Sequence, residues 1–525
     1  MRFNRRSSAL DRRTLLKGAL GAGAWPLLRA IPAHAQIKSF PFSLGVAAGD
    51  PGPDGFVIWT RLAPEPLAPL GGLTPAAVDV TWEVSTDENI QRVARSGTVS
   101  ASAEAAHSVH VEVEGLEPGR VYFYRFRAAG TESATGRART LPAPGAPVSQ
   151  LRFASAGCQQ WEAGYYTAWR RIAEEAFDFV IHYGDYIYEA AVSVADNHGR
   201  PHPRVMPPDF GRCLTLSDYR RRYALYKSDP DLQAAHAACA FLSSFDDHEV
   251  ANNWAADRDS KKTAGAVFLS RRAAAFQAWY EHMPVRRALL PHGPNISAYR
   301  SFRIGNLAEV AMLDTRQYRS YQTCGEPFAS CQEAAAPGRT MLGEAQERWL
   351  EETLRAAKGT WQILAQQVLF SQLDWRSFPG HHGAGPQFRM DTWDGASAGR
   401  RRVLDILSDA RAANPVVLTG DSHKALALEI ARDGQDPCLG VEFLATSISS
   451  GGDGKQTLKN QDAIFRDNPR LKFLGDERGY TRHAVTPKRW QADFRAVQKV
   501  STPGAPVVTR KSFIVEAGHP GLVGA

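Results

Sequence analysis

Apolar and polar residues alternate with period two through the first quarter of the chain. The segments VDVTWEVS (78–85), HSVHVEVEGL (107–116) and VYFYRFRA (121–128) each show this alternation, with Gly, Pro or Asp between them. Such a pattern predicts half-buried strands. Leu116-Glu117-Pro118-Gly119, followed by Tyr122 and Tyr124, predicts a hairpin inside a β-sandwich. Residues 39–141 are therefore expected to form an all-β, immunoglobulin-like sandwich domain. The run Pro142-Ala143-Pro144-Gly145-Ala146-Pro147 reads as a stiff linker.

The pattern changes after residue 148. Short apolar runs at 151–156, 177–183, 307–313, 361–369 and 416–419 predict buried strands, and helical spacing separates them at 161–177, 271–282, 343–357 and 397–412. Alternation of this kind predicts one α/β domain over 148–525.

Charge changes the picture only at the amino terminus. Seven basic residues against one acid, Asp11, give residues 1–35 a charge of +6 out of the chain's +7, leaving +1 for the remainder. The basic balance thus argues against nucleic-acid or membrane-surface binding. Asp11-Arg12-Arg13-Thr14-Leu15-Leu16-Lys17 resembles a twin-arginine export box, ahead of a modest apolar stretch and Ala33-His34-Ala35. Residues 1–35 are expected to be a twin-arginine signal peptide. The export machinery is then a partner, the destination is periplasmic or extracellular, and no membrane anchor is expected after the signal is removed. Of six cysteines, Cys324 and Cys331 are the expected disulfide.

Five segments share one design, an apolar strand that runs into a dense polar end: SAGCQQ (155–160), GDYIYE (184–189), SFDDHEVANNW (244–254), LDTRQYR (313–319) and TGDSHKA (419–425). A single aspartate after a strand is usually a helix cap. Recurrence in one α/β domain is different, because ligand sites of such sheets lie beyond the strand ends. Asp185, Asp247 and Asp421, with Asn253 and His423, are expected near one sheet edge. Gathered carboxylates repel one another unless a cation lies among them. Oxygen donors suit a hard ion such as Ca²⁺. Cys158, Tyr188 and His423 suit a stronger Lewis acid, with Asp185 bridging the two kinds.

In this order the motifs, together with LAQQV (364–368) and the opening SFPFSLGVAAGDPGPDGFVIWTRLAP (39–64), resemble the PhoD-type alkaline phosphatases. The resemblance implies a β-sandwich followed by a calcineurin-like metallophosphoesterase domain, an α/β sandwich with α/β/β/α layers. It implies Fe³⁺ held by Cys158, Asp185, Tyr188 and His423. It implies Ca²⁺ held by Asp185, Asn253 and Asp421, with Asp247 a further ligand and Asn253 preferred over Asn252. The implied activity is hydrolysis of phosphate monoesters, and of diesters too, by in-line attack of a metal-activated oxygen. A phosphodiesterase of phospholipase D type is the nearest alternative, and a non-catalytic calcium-dependent binding protein a more distant one. Gly157-Cys158 stands where the general calcineurin-like pattern has Asp-x-His, which argues against a purple acid phosphatase.

Two further residues are candidates for catalysis. His248 is placed either to protonate the leaving oxygen or to orient Asp247. Arg316 is placed either to neutralise a phosphate oxygen or to hold an aspartate. His381 and His382 lie in a Gly-rich loop and read as a solvated turn. Neither Ser155 nor Ser422 sits in a nucleophile elbow, which argues against a serine hydrolase.

Overall fold

Period-two patterning becomes layers because each strand sends neighbouring side chains to opposite faces. The computed structural model describes residues 37, 39–190, 201–263, 265–324, 327–381, 385–432 and 436–525. The expected signal peptide (1–35) and His382 lie outside them.

Strand Leu151–Ala156 runs parallel to Phe179–His182, which runs parallel to Ala240–Ser243. They are the centre of a ten-stranded sheet. A second, seven-stranded sheet has at its centre the parallel strands Ala308–Met312, Trp361–Ala365, Pro415–Thr419 and Gly440–Leu444. Alternate residues of both sheets meet in one buried core: Phe153, Phe179, Ile181 and Leu242 from the first, with Val310, Ile363, Val416 and Val441 from the second. The intervening residues face helices. Ala154, Val180 and Phe241 pack with helices Thr167–Glu174, Leu216–Lys227, Pro230–Ala238 and Gly265–His282. Ala311, Leu364 and Val417 pack with helices Gly343–Ala356 and Ser397–Asp409.

The amino-terminal region divides between two sheets. Val78–Ser85, Val93–Ala101, Val121–Ala128 and two short strands form a five-stranded sheet of their own. Val46–Gly49, Phe56–Arg61 and Ser108–Val113 instead extend the ten-stranded sheet, with Val46–Gly49 parallel to Ala240–Ser243. The turn at 116–119 is therefore not the expected hairpin. It carries the chain from one sheet to the other, and Glu117 N–H donates to the Tyr122 hydroxyl at 2.9 Å. That is the tyrosine corner of β-sandwiches. The proline-rich linker is pinned: Asn306 N–H donates to Ala146 O at 2.9 Å.

Four antiparallel strands at the carboxyl end, Arg478–Val485, Arg489–Val497, Val507–Glu516 and His519–Gly524, complete the ten-stranded sheet. Cys324 and Cys331 form the expected disulfide. Among the described residues no helix is long and apolar enough to cross a membrane.

Candidate metal centre

Parallel strands deliver their carboxyl ends to one edge, and the polar motifs follow those ends. Cys158 comes two residues after Leu151–Ala156, and Asp185 three after Phe179–His182. Asp246 and Asp247 come after Ala240–Ser243, and Asp421 two after Pro415–Thr419. At several of these positions the chain turns sharply. Cys158, Asp185, Asn253, Asp421 and His423 all have left-handed backbones, with φ of 52°, 55°, 50°, 63° and 54°. Non-glycine residues rarely adopt this conformation, and those that do cluster at functional sites. Gly184 supplies φ of 124° before Asp185. A Cβ there would sit 2.5 Å from the Asp246 backbone nitrogen, so the two turns approach too closely for any side chain.

Three overlapping groups result among the described residues. Ligand atoms of Cys158, Asp185 and His423 lie within 4.8 Å of one another, as do those of Asp185, Asp247 and His248, and those of Asp246, Asp247 and Asp421. Asp185 belongs to two of them. The Tyr188 hydroxyl donates to Asp185 Oδ2 at 2.9 Å and lies 3.0 Å from His423 Nε2, which places it in the first group. Asn253 is half-buried and donates its N–H to Asp247 Oδ2 at 2.8 Å, whereas Asn252 is exposed and donates its N–H to Glu189.

The electrostatics call for a cation. Burial pushes the Cys158 thiol and the Tyr188 phenol well above their usual values. Burial, then the Asp247 charge, raises the Asp185 carboxyl well above its usual range. Burial also raises Asp246 and Asp421, despite Arg316 beside the one and Arg389 beside the other. Burial opposes ionisation of Asp247 too, but there His248 and Arg316 win and its carboxyl is depressed. Burial and Arg478 depress His423, leaving its ring neutral, the form that ligates a metal. With protein charges alone, burial shifts the thiol, the phenol and three of the four carboxyls toward their neutral forms. Bound cations reverse that balance, so this donor set fits metal ions.

His248 has its ring 4.1 Å from that of Tyr188, and its Nδ1 pairs with Glu189 Oε2 at 2.7 Å. Burial works against its protonation, yet Asp247, Asp185 and Glu189 outweigh it and raise its pKa well above the usual value. Arg316 is fully buried, with Nε 2.5 Å from Asp246 and Nη1 2.9 Å from Asp391. His381 packs its ring edge-on against Phe328 at 4.1 Å. The expected turn is therefore anchored at that residue.

Some residues of the site carry no sequence signal. Ser450 donates to the Tyr188 hydroxyl at 2.7 Å, although nothing in its neighbourhood marks it. Arg389 reaches Asp421 at 2.7 Å from a short strand remote in sequence. Glu249 stands in the SFDDHE stretch but reads as an ordinary acid. It is fully buried, and it accepts N–H bonds from Asp185 at 3.1 Å, Tyr186 at 2.6 Å and Asp246 at 2.8 Å. One carboxylate thus ties both turns together. Burial raises its carboxyl to about 7, against the pull of those three bonds. Glu249→Ala leaves three buried donors unpaired, at about 1–3 kcal/mol each before relaxation. We expect a lower urea midpoint and weaker cation retention; an unchanged midpoint would show that the turns hold their shape without it.

Comparison with known proteins follows the same lines. The PhoD-like phosphatase family model matches residues 153–494, and the model of the PhoD-like phosphatase N-terminal domain matches 29–142. Alkaline phosphatase D of Bacillus subtilis (strain 168) is 43% identical over 533 residues, covering 98% of this chain and 89% of that protein. A solved structure of PhoD is similar at a TM-score of 0.89 and 44% identity, covering 93% of this chain and 92% of that one.

Proposed function

The chain belongs to the PhoD-like phosphatase family and is a phosphoric ester hydrolase, and on that premise we propose how its site is used. The observation that carries the reading is the sharing of Asp185 between a thiol–imidazole group and a carboxylate group. Cys158, Asp185, Tyr188 and His423 hold Fe³⁺, since thiolate, phenolate and imidazole suit a strongly Lewis-acidic ion. Asp185, Asn253 and Asp421 hold Ca²⁺, with Asp247 beside them, since these are oxygen donors. When bound, such ions stabilise both the attacking and the leaving oxygen of an in-line displacement at phosphorus.

The chain's own groups supply the rest. Glu189 fixes the His248 ring through Nδ1, so Nε2 is free to protonate the leaving oxygen. The bond to Glu189 favours the charged ring, the form that can give up a proton. Arg316 is assigned to positioning, because its Nε and Nη1 are committed to Asp246 and Asp391 beneath the cluster. The same grip on a phosphoryl group accepts diesters, since it reads little of the alcohol.

Residues 39–141 are the amino-terminal sandwich domain and 148–525 the catalytic domain, whose core packing we read as α/β/β/α. Residues 1–35 are a twin-arginine signal that sends the enzyme to the periplasm or beyond. Hydrolysis of p-nitrophenyl phosphate and of its bis ester with added Ca²⁺ tests the reading. Activity towards both is expected, with loss on chelation and recovery on re-addition of metal. Turnover that survives exhaustive chelation would overturn the metal assignment.

A further inference from the structure

Resting on the phosphatase reading, we propose that Arg389 grips the phosphoryl oxygens of the substrate and that a disulfide-closed loop aims it.

Among the described residues, Arg316 and Arg389 stand at the carboxylate cluster, and they are placed differently. The Arg316 side chain is 0% exposed, and its Nη2 lies 3.7 Å from Asp421 and 3.8 Å from Asp247, with no opening to solvent. The Arg389 side chain is 21% exposed. Its Nη1 lies 2.7 Å from Asp421 Oδ2 and 3.5 Å from Ser422 Oγ. Of the two, only Arg389 joins the cluster to the outside. A guanidinium there presents a planar fork that matches two phosphoryl oxygens at once.

The backbone around it is tied on both sides. Phe388–Arg389 pairs antiparallel with Phe328–Ala329, with Arg389 opposite Phe328. The Cys324–Cys331 disulfide closes the loop that carries Phe328. Met390 N–H donates to Pro327 O at 3.0 Å. Asp391 is then anchored by Arg316 and by Gln322 Nε2 at 2.5 Å. Gln322 Nε2 also donates to the backbone oxygen of Asn253, at 2.9 Å. The backbone is tied at several points while the side chain stays partly exposed, an arrangement that would preorganise a substrate contact.

A monoester dianion offers a fork more charge than a diester does. Arg389→Met is therefore expected to lower kcat/KM for p-nitrophenyl phosphate by about 10²-fold and for the bis ester by about tenfold. Its inhibition constant for inorganic phosphate should rise in parallel, at unchanged metal content. Arg389→Lys should recover part of the loss, since it restores the charge but not the fork. A Cys324→Ser/Cys331→Ser double variant should raise KM for the monoester more than it lowers kcat. If Arg389→Met binds inorganic phosphate as tightly as the parent, the proposal fails while the phosphatase reading stands. A variant that loses metal and both activities equally would make Arg389 only a prop for Asp421, and would also overturn it. A double variant with the parent's KM would remove the disulfide from the account. A parent enzyme that turns over neither ester would strike the phosphatase reading, and this assignment with it.

Discussion

Replacing Asp185 with asparagine is expected to abolish hydrolysis of p-nitrophenyl phosphate, with a fall in kcat/KM of more than about 10³-fold. Loss of a single preorganised donor in an enzyme site costs 10²–10³-fold, and Asp185 stands in two ligand groups at once. The substitution keeps shape and removes charge. Asp185 is 1% exposed, and without a cation its burial and Asp247 already favour the neutral form. The asparagine variant should therefore fold, with a melting temperature no lower than that of the chelated parent. What it should lose is the stabilisation that bound cations give the native state. Calorimetry with and without added Ca²⁺ checks this alongside the kinetics. A variant that is active and still stabilised by Ca²⁺ would show that Asp185 bridges nothing.

Cys158→Ser has the second largest expected effect. The thiol is 1% exposed and packs with Tyr183 and Ala445. Were it only a core residue, serine would cost a little stability and leave metal content alone. As an iron ligand, its loss should remove the transition metal and any visible absorption from thiolate and phenolate donors, while circular dichroism stays native. Turnover should fall by roughly 10²-fold or more. Elemental analysis and the visible spectrum separate the two outcomes, and full metal content with normal turnover would make Cys158 a bystander.

Much of this site was readable from sequence because strand ends announce themselves. The strands at 78–85 and 121–128 fall at the expected residues because alternation marks a half-buried strand, and 151–156 does so because a short apolar run marks a buried one. Cys158, Asp185, Asp247, Asp421 and His423 each follow such a run, and the structure brings all five to one edge. Sheet membership was harder to read. Strand 108–113 alternates as its neighbours do, yet it pairs with Phe56–Arg61, because pairing depends on long-range register and not on local pattern. The left-handed backbones at Cys158, Asp185, Asp421 and His423 were also hidden, since cysteine, aspartate and histidine do not declare positive φ as glycine does. Glu249 and Arg389 act through contacts 63 and 32 residues away, and no local signal encodes those.

The central claim is that distant donors converge because cations lie among them. Anomalous diffraction from crystals of the native enzyme, with elemental analysis of the same protein, tests this most directly. The account predicts at least two cations that share Asp185, one at coordination distance from Cys158, Tyr188 and His423 and another from Asn253 and Asp421, at about 2.0–2.6 Å. An active native enzyme with no cation within that reach of Asp185 would contradict it.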